Sequence, residues 1–389
     1  MVHCLDGSRS CSQAAAAIVA AARAAAGGWR RSRVMQAVLV LALTLATLCS
    51  VYGRRATAPS ALAPPGGLPP ARTPLFMLLT HDDGVSKLSA LQLRSVTDGR
   101  QTRNGCKVVA TLFAKTGNTN CDALVDLHRH GYEIADHTVN HKRLSGERRA
   151  FIESEVVDAR RQLAACGVPE GAIVGFRAPF LEVTPLLRRV LSDQGFLYDS
   201  SLVEDTLGSS ASRGFANRLW PFDMGAGIRT NCSDWDGPYG THRQSCKRHE
   251  RWPGLWQVPI WRMGQAGGPF HMDPGFNYSC MCNAGKPSPY EVLKRHFDAA
   301  YAGNRAPMPV YVHPFWLRAG DNVKELRRFV DYALGKPDVY FVSMRQLVAW
   351  LQNPVPADRL TPKALGCGNP GGAGPKPRRA RRRKRESSD

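Results

Sequence analysis

Paired acidic and histidine side chains follow two predicted β-strands of this 389-residue chain. Asp82 and Asp83 come at the end of the apolar run 75–80, and His137 and His141 come after a later strand. Of two adjacent carboxylates, one can bind a metal ion while the other accepts a proton. Histidines four residues apart share one face of a helix and can bind one zinc ion together. Each group alone also has a simpler explanation, because Asp-Gly is common in turns and such histidine pairs arise by chance.

Three further residues can complete a catalytic site, and each has a structural alternative. Arg177 follows a predicted strand, where it can hold a catalytic carboxylate by paired hydrogen bonds or form a surface salt bridge. Trp256 can line a carbohydrate site, although tryptophans on strands more often belong to a core. His313 ends another strand, where a histidine is more often a structural residue than a proton donor.

The elements that would position these residues alternate between short apolar strands and amphipathic helices. This order predicts an α/β fold, a distorted (β/α) barrel of about seven strands, whose carboxyl ends would surround the site. Residues 205–285 interrupt the alternation and are rich in Gly, Trp and Cys, which predicts long loops tied by disulfides. The predicted strands are 75–80, 107–113, 132–136, 173–177, 255–261, 308–313 and 339–342, and the predicted helices lie near 121–130, 147–166, 183–195, 287–302, 321–335 and 344–352.

The N-terminal segment is predicted to direct the chain into the secretory route. An Ala-rich leader and three arginines precede an apolar run at 34–51, and a Pro-rich stretch follows it. This pattern is typical of a cleaved signal peptide, and the length of the run also suits a type II membrane anchor through residues 34–52. The protein is therefore expected to be secreted, extracellular or in a cell wall, or else to be anchored in the secretory pathway.

Cysteine usage indicates the same compartment. An even number of cysteines behind a secretory leader favours disulfides. The spacing of Cys280 and Cys282 is tighter than that of structural zinc sites, so zinc binding there is the weaker hypothesis. We expect the four cysteines of the irregular segment to pair mostly with one another, and we expect Cys367 to pair with Cys106. The candidates are Cys106, Cys121, Cys166, Cys232, Cys246, Cys280, Cys282 and Cys367, and the predicted glycosylation acceptors are Asn231 and Asn277.

The net charge of +20 is concentrated at the two ends of the chain. Seven Lys/Arg against one acidic residue lie in residues 1–60, and eight against two lie in residues 376–389. No aromatic residues are interleaved with the basic tail, so no nucleic-acid partner is expected, and the tail is expected to contact polyanions in a salt-dependent way. With 43% hydrophobic residues the chain is neither disordered nor fibrous.

The order of five motifs resembles the polysaccharide deacetylases of carbohydrate esterase family 4, which carry the NodB homology domain. The motifs are Thr80-His81-Asp82-Asp83, His137-Thr138-Val139-Asn140-His141, Arg177-Ala178-Pro179-Phe180, the tryptophan segment 252–256 and Tyr311-Val312-His313. Further stretches at 198–201, 304–308, 337–342 and 350–354 are similar to the animal chitin deacetylase-like branch. The motifs place a catalytic domain at 75–355, and composition adds a leader (1–58), a Pro-rich linker (59–74) and a Gly/Pro-rich basic tail (356–389).

The same resemblance implies a role for each candidate residue. Asp83, His137 and His141 would bind one divalent metal ion, Zn²⁺ before Co²⁺ or Mn²⁺, and Asp82 would be the general base. His313 would be the general acid, and Arg177 would hold Asp82 in place. Trp256 would form a wall of the acetyl pocket, and the backbone N–H of Phe180 would donate to the oxyanion.

Three positions depart from the family pattern. His81 replaces the usual Phe, which we expect to have little effect. Trp252 stands four residues before Trp256, where the family often has an acid paired with the arginine, so the setting of Arg177 is left open. Tyr311 replaces Leu two residues before His313, as in the animal branch.

The sequence thus predicts a metal-dependent hydrolase that removes N-acetyl groups from N-acetylglucosamine residues of chitin or a chitin-like polysaccharide, giving glucosamine residues and acetate. A rival hypothesis is a non-catalytic carbohydrate-binding or matrix-organising protein on the same fold. The loss of Asp82, a metal ligand or His313 would favour that rival, and all of these residues are present. A polyanion-binding protein acting through the basic tail is the second rival.

Overall fold

A computed structural model describes residues 62–204, 216–229, 244–247, 249–261, 272–278, 280–283 and 285–367, all within the unit Ser60–Asp389. The predicted leader with its apolar run, the acceptor Asn231, Cys232 and the basic tail lie outside the described residues. No helix among the described residues has both the length and the apolar character that a membrane span requires.

A curled nine-stranded sheet forms the centre of the fold, in the order β12-β1-β2-β3-β4-β5-β8-β7, with β13 also paired to β1. Every pairing in it is parallel except that of β7 with β8. The described strands are β1 (Leu75–Asp83), β2 (Thr111–Ala114), β3 (Glu133–Asp136), β4 (Gly175–Phe176), β5 (Tyr198–Asp199), β6 (Val203–Glu204), β7 (Phe222–Met224), β8 (Trp252–Gln257), β9 (Ile260–Trp261), β10 (Phe276–Asn277), β11 (Cys282–Asn283), β12 (Met308–Val312) and β13 (Val339–Phe341).

The predicted distorted (β/α) barrel is confirmed. Each of the seven predicted strands overlaps a strand of the sheet, and β5 and β7 add to them. Strand β1 is central because it pairs with three neighbours, and its residues are buried up to Asp82. Parallel strands covered on both faces require continuous apolar runs, which is why the strand signal of β1 is unbroken.

Helices follow the strands and cover the sheet. All six predicted helices are present, and two that the sequence analysis missed are added, α1 and α6. Helix α1 begins with a capping box in which Ser86 and Ser89 each accept the backbone N–H of the other. The described helices are α1 (Lys87–Thr97), α2 (Cys121–Arg129), α3 (Arg149–Ala165), α4 (Pro185–Asp193), α5 (Pro289–Ala302), α6 (Pro314–Arg318), α7 (Asn322–Leu334) and α8 (Met344–Gln352).

Disulfide bonds link distant parts of the described chain. Cys106 bonds Cys367, as expected, and this bond joins positions 261 residues apart in the sequence. Folded structure continues beyond residue 355, because Leu360 and Leu365 are buried in the main core. Cys280 bonds Cys282, which excludes the zinc site considered for that pair. The remaining described bond joins Cys121 to Cys166, and Cys246 is also disulfide-bonded.

Candidate active site

Asp83, His137 and His141 come together at the carboxyl ends of β1 and β3. Their candidate ligand atoms all lie within 4.8 Å of one another. Oδ1 of Asp83 is 3.6 Å from Nε2 of His141 and 4.0 Å from Nε2 of His137. Asp83 is the last residue of β1, and His137 follows the last residue of β3. Parallel pairing of β1, β2 and β3 therefore delivers both ends to one place.

The two histidines lie on a loop, so the expectation that they share a helix face is wrong. Thr138 and His141 have positive φ angles of 68° and 57°, which an α-helix does not contain. Oδ1 of Asp136 accepts the Thr138 backbone N–H at 2.8 Å, and Oγ1 of Thr138 accepts that of His141 at 3.1 Å. These side chains satisfy the backbone donors that a helix would otherwise use, and the loop turns both imidazoles toward Asp83.

The three residues fit a divalent metal ion. Nδ1 of His137 donates to the backbone carbonyl of Arg177 at 2.8 Å, and this leaves Nε2 as the free lone pair facing Asp83. Burial lowers the pKa of both histidines, that of His141 to about 4, so both imidazoles are neutral at physiological pH. Burial raises the pKa of Asp83, but its electrostatic surroundings, which include the positive charges of His313 and Lys115, lower that pKa overall. Two neutral imidazoles and one carboxylate are a common donor set for zinc.

Asp82 is held beside this cluster by Arg177. Nη1 of Arg177 lies 2.5 Å from Oδ1 of Asp82, and both side chains are buried. Nε and Nη2 of Arg177 bond the carbonyl and the hydroxyl of Ser200 at 2.9 and 3.0 Å, and Nη1 also bonds Oγ1 of Thr80 at 3.0 Å. The guanidinium stacks over the ring of Phe113 at 3.9 Å. Arg177 is therefore fixed without the acid that the resemblance would have placed at Trp252.

His313 is paired with Asp273, a residue that the sequence analysis missed. Nδ1 of His313 lies 2.6 Å from Oδ2 of Asp273, and the His313 backbone N–H donates to Oδ1 at 2.8 Å. Burial alone would lower the pKa of His313, but Asp273, with Asp82 and Asp83, raises it to about 9. The imidazole is therefore protonated at neutral pH. Asp273 comes from the irregular segment, where the only sequence signal is an Asp-Pro-Gly turn.

The surroundings of the remaining predicted residues, Phe180, Trp256 and His81, differ from one another. Phe180 is 40% exposed, its ring centroid is 4.7 Å from that of His141, and its φ is 55°. Trp256 is partly buried against the main core and pairs with Tyr198 across β5 and β8. His81 is fully buried, burial lowers its pKa to about 4, and it occupies a packing position, as expected. The roles proposed for Phe180 and Trp256 stay predictions.

Comparison with known proteins finds similarity to one family over part of the chain. Residues 71–198 match the family model described as Polysaccharide deacetylase. The chain is 28% identical over 308 residues to chitin deacetylase 8 of Bombyx mori, covering 76% of this chain and 75% of that protein. It is also 28% identical over 308 residues to chitin deacetylase 1 of Bombyx mori. That match covers 75% of this chain and 53% of the relative, so the chain spans about half of that protein.

A solved structure shows the same fold. The crystal structure of a Mycobacterium smegmatis protein described as a polysaccharide deacetylase superposes with a TM-score of 0.50 at 18% identity. The match covers 77% of this chain and 96% of that one.

Proposed function

We infer that this chain is a hydrolytic deacetylase of chitin-like polysaccharides. The match to the polysaccharide deacetylase family model supports this, and so does the similarity to the animal chitin deacetylase-like branch. Its substrate in this proposal is an N-acetylglucosamine residue of the polymer, and its products are a glucosamine residue and acetate. The observation that carries the proposal is the convergence of Asp83, His137 and His141 beside the Asp82–Arg177 pair.

Amide hydrolysis explains why the site needs each of these groups. An amide is a weak electrophile with a poor leaving group, so the attacking water must lose a proton and the departing amine must gain one. A divalent ion held by Asp83, His137 and His141 would polarise the acetyl carbonyl and acidify water. Asp82 accepts the proton of the attacking water, and the hydrogen bond from Nη1 of Arg177 orients its carboxylate.

His313 provides the second proton transfer. Its Nδ1 is held by Asp273, which leaves Nε2 as the ring nitrogen that can donate to the reacting amide. Nε2 donates its proton to the amine nitrogen as the carbon–nitrogen bond breaks, and the oxygen of water stays on the acetate. The backbone N–H of Phe180 donates to the acetyl oxygen as negative charge develops there, and Trp256 forms a wall of the acetyl pocket.

Acetate release tests this function. We would measure acetate from chitin oligomers and from peptidoglycan, each with and without a chelator. Release from chitin that the chelator abolishes is the expected result. Release from peptidoglycan alone would reassign the substrate, and no release from either polymer would favour a non-catalytic carbohydrate-binding protein.

We further propose that the protein acts outside the cell or in the secretory pathway. The described disulfides support this, because they form in oxidising compartments. Cleavage of the apolar run gives a secreted enzyme, whereas retention gives a type II anchored one, and N-terminal sequencing of the mature protein distinguishes them. Asn231 and Asn277 are the proposed glycosylation acceptors. The basic tail is proposed to contact polyanions, and deletion of residues 376–389 separates that role from deacetylation.

A further inference from the structure

An exposed aromatic side chain stands next to the proposed acid. Tyr278 is 48% exposed, although large apolar side chains of the described residues are mostly buried. Met281 is 57% exposed as well, and both residues belong to the segment of β10 and β11 that contains the Cys280–Cys282 bond. This segment has no function in the mechanism above.

Contacts hold the ring of Tyr278 in one orientation. Its hydroxyl donates to Oδ2 of Asp273, the carboxylate that also binds His313. Its ring packs edge-to-face against Phe276 and Phe315, with centroids 5.5 and 5.9 Å away. The ring of Phe315 in turn stacks on His313 at 5.0 Å. These contacts fix the orientation of the tyrosine ring, while about half of its side chain stays exposed to solvent.

The electrostatic surroundings of Tyr278 favour its protonated hydroxyl. Burial, and then the negative charges of Asp273, Asp82 and Asp83, raise the pKa of Tyr278. The phenol therefore stays protonated and keeps its hydrogen bond to Asp273. A ring fixed before the ligand arrives loses little conformational entropy on binding.

We propose that Tyr278 is a stacking platform for the sugar ring next to the one that is deacetylated. This inference rests on the proposed function. Tyr278 bonds the carboxylate on the Nδ1 side of His313, whereas the proposed proton transfer takes place at Nε2, on the other side of the imidazole. The exposed ring is therefore assigned to the adjacent unit of the chain rather than to the reacting unit. A pyranose presents an apolar C–H face edged by hydroxyl groups, which suits an aromatic ring beside polar groups.

The test compares Tyr278→Ala and Tyr278→Phe with the wild type in the secreted full-length protein supplied with Zn²⁺. The substrates are the N-acetylglucosamine tetramer and the monosaccharide, which has no adjacent ring. Tyr301→Ala is the matched control, because the Tyr301 hydroxyl also bonds an aspartate, Asp338, at 2.6 Å. Asp338 bonds the first residue of β1, Leu75, at the opposite end of that strand from Asp83.

We expect Tyr278→Ala to raise the KM of the tetramer roughly three- to tenfold, the usual value of one aromatic contact. The rise should exceed any fall in kcat and should be smaller for the monosaccharide. The KM of Tyr278→Phe, which keeps the ring, should stay closer to that of the wild type. The KM of the Tyr301→Ala control should equal the wild-type value. Tyr278→Leu, apolar but without a flat ring, replaces the alanine variant if that variant lacks a cooperative unfolding transition.

Three outcomes would overturn the platform: an unchanged KM for the tetramer, an equal rise for tetramer and monosaccharide, or equal effects of Tyr278→Phe and Tyr278→Ala. Failure of the proposed function is a separate result, seen when the wild type releases no acetate from any oligomer. Calorimetric binding of the tetramer to the wild type and to the variants then decides the platform without turnover.

Discussion

The buried carboxylate of Asp273 binds His313 twice, at Nδ1 (2.6 Å) and at the backbone N–H (2.8 Å). The two contacts fix the direction of the imidazole and hold its Nδ1 proton, so that the proton on Nε2 is the transferable one. They also explain why a histidine surrounded by protein keeps a pKa of about 9 although burial opposes its charge. Asp273 is thus the positioning residue of the proposed acid.

Asp273→Asn should shift the pH dependence of deacetylation to lower pH. The acid must be protonated, so wild-type activity is expected to fall as pH rises through about 9. Without the Asp273 charge, burial dominates and lowers the pKa of His313, so the alkaline fall begins at lower pH. A pH–rate profile of chitin-oligomer deacetylation measures this. Asp331→Asn, which breaks only the ion pair with Arg100 (2.6 Å), is the control. An alkaline limb at the wild-type pH would contradict the pairing.

His313→Ala should separate acid catalysis from metal binding. Metal content should stay stoichiometric, while amide hydrolysis falls steeply because the amine leaves only when protonated. Activated acetate esters should lose less, since their leaving groups need no proton. Metal analysis and parallel assays on both substrates check this. Equal losses on amide and ester would show that His313 is structural or is itself a ligand.

Asp83→Ala should abolish both metal binding and activity, because two imidazoles alone hold a divalent ion weakly. Elemental analysis of the dialysed variant and acetate release give the two readouts. The matched variant is Asp82→Ala, which removes the adjacent carboxylate and should leave the ion in place. Stoichiometric metal in Asp83→Ala would remove Asp83 from the ligand set.

Asp82→Asn should keep the metal and lose roughly 10²–10⁴ in rate, the usual contribution of a general base. The amide retains the size of the carboxylate and can still accept a hydrogen bond from Arg177, so the fold should be preserved. Steady-state kinetics with metal analysis of the same sample tests this. Normal turnover with metal bound would mean that another group is the base.

Cys367→Ser should destabilise the protein, because the bond to Cys106 closes a very long loop of the unfolded chain. The chain-entropy model gives roughly 4–5 kcal/mol for such a loop, less any strain in the folded state. Denaturant unfolding under oxidising conditions measures the change. The Cys106→Ser/Cys367→Ser double variant should unfold at the same midpoint as the single variant, and an unchanged midpoint in both would contradict a stabilising role.

The sequence by itself determined the strands and, through them, the location of most candidate residues. Strands such as β1 and β12 are buried along their length and therefore read as unbroken apolar runs. A residue just after such a run is placed at the carboxyl end of a parallel strand, and this is how Asp83, His137 and His313 could be assigned to one face. That inference needs only the local pattern and the parallel direction of the strands.

Tertiary structure alone decided the partners and the local backbone. Asp273 comes from a segment without hydrophobic periodicity, 40 residues before His313, so no local pattern could pair them. The loop that carries His137 and His141 has left-handed residues set by side-chain hydrogen bonds, where the spacing had suggested a helix. Such contacts join residues distant in sequence or compete with regular backbone hydrogen bonds. They form, and stabilise the structure, only when the chain has folded.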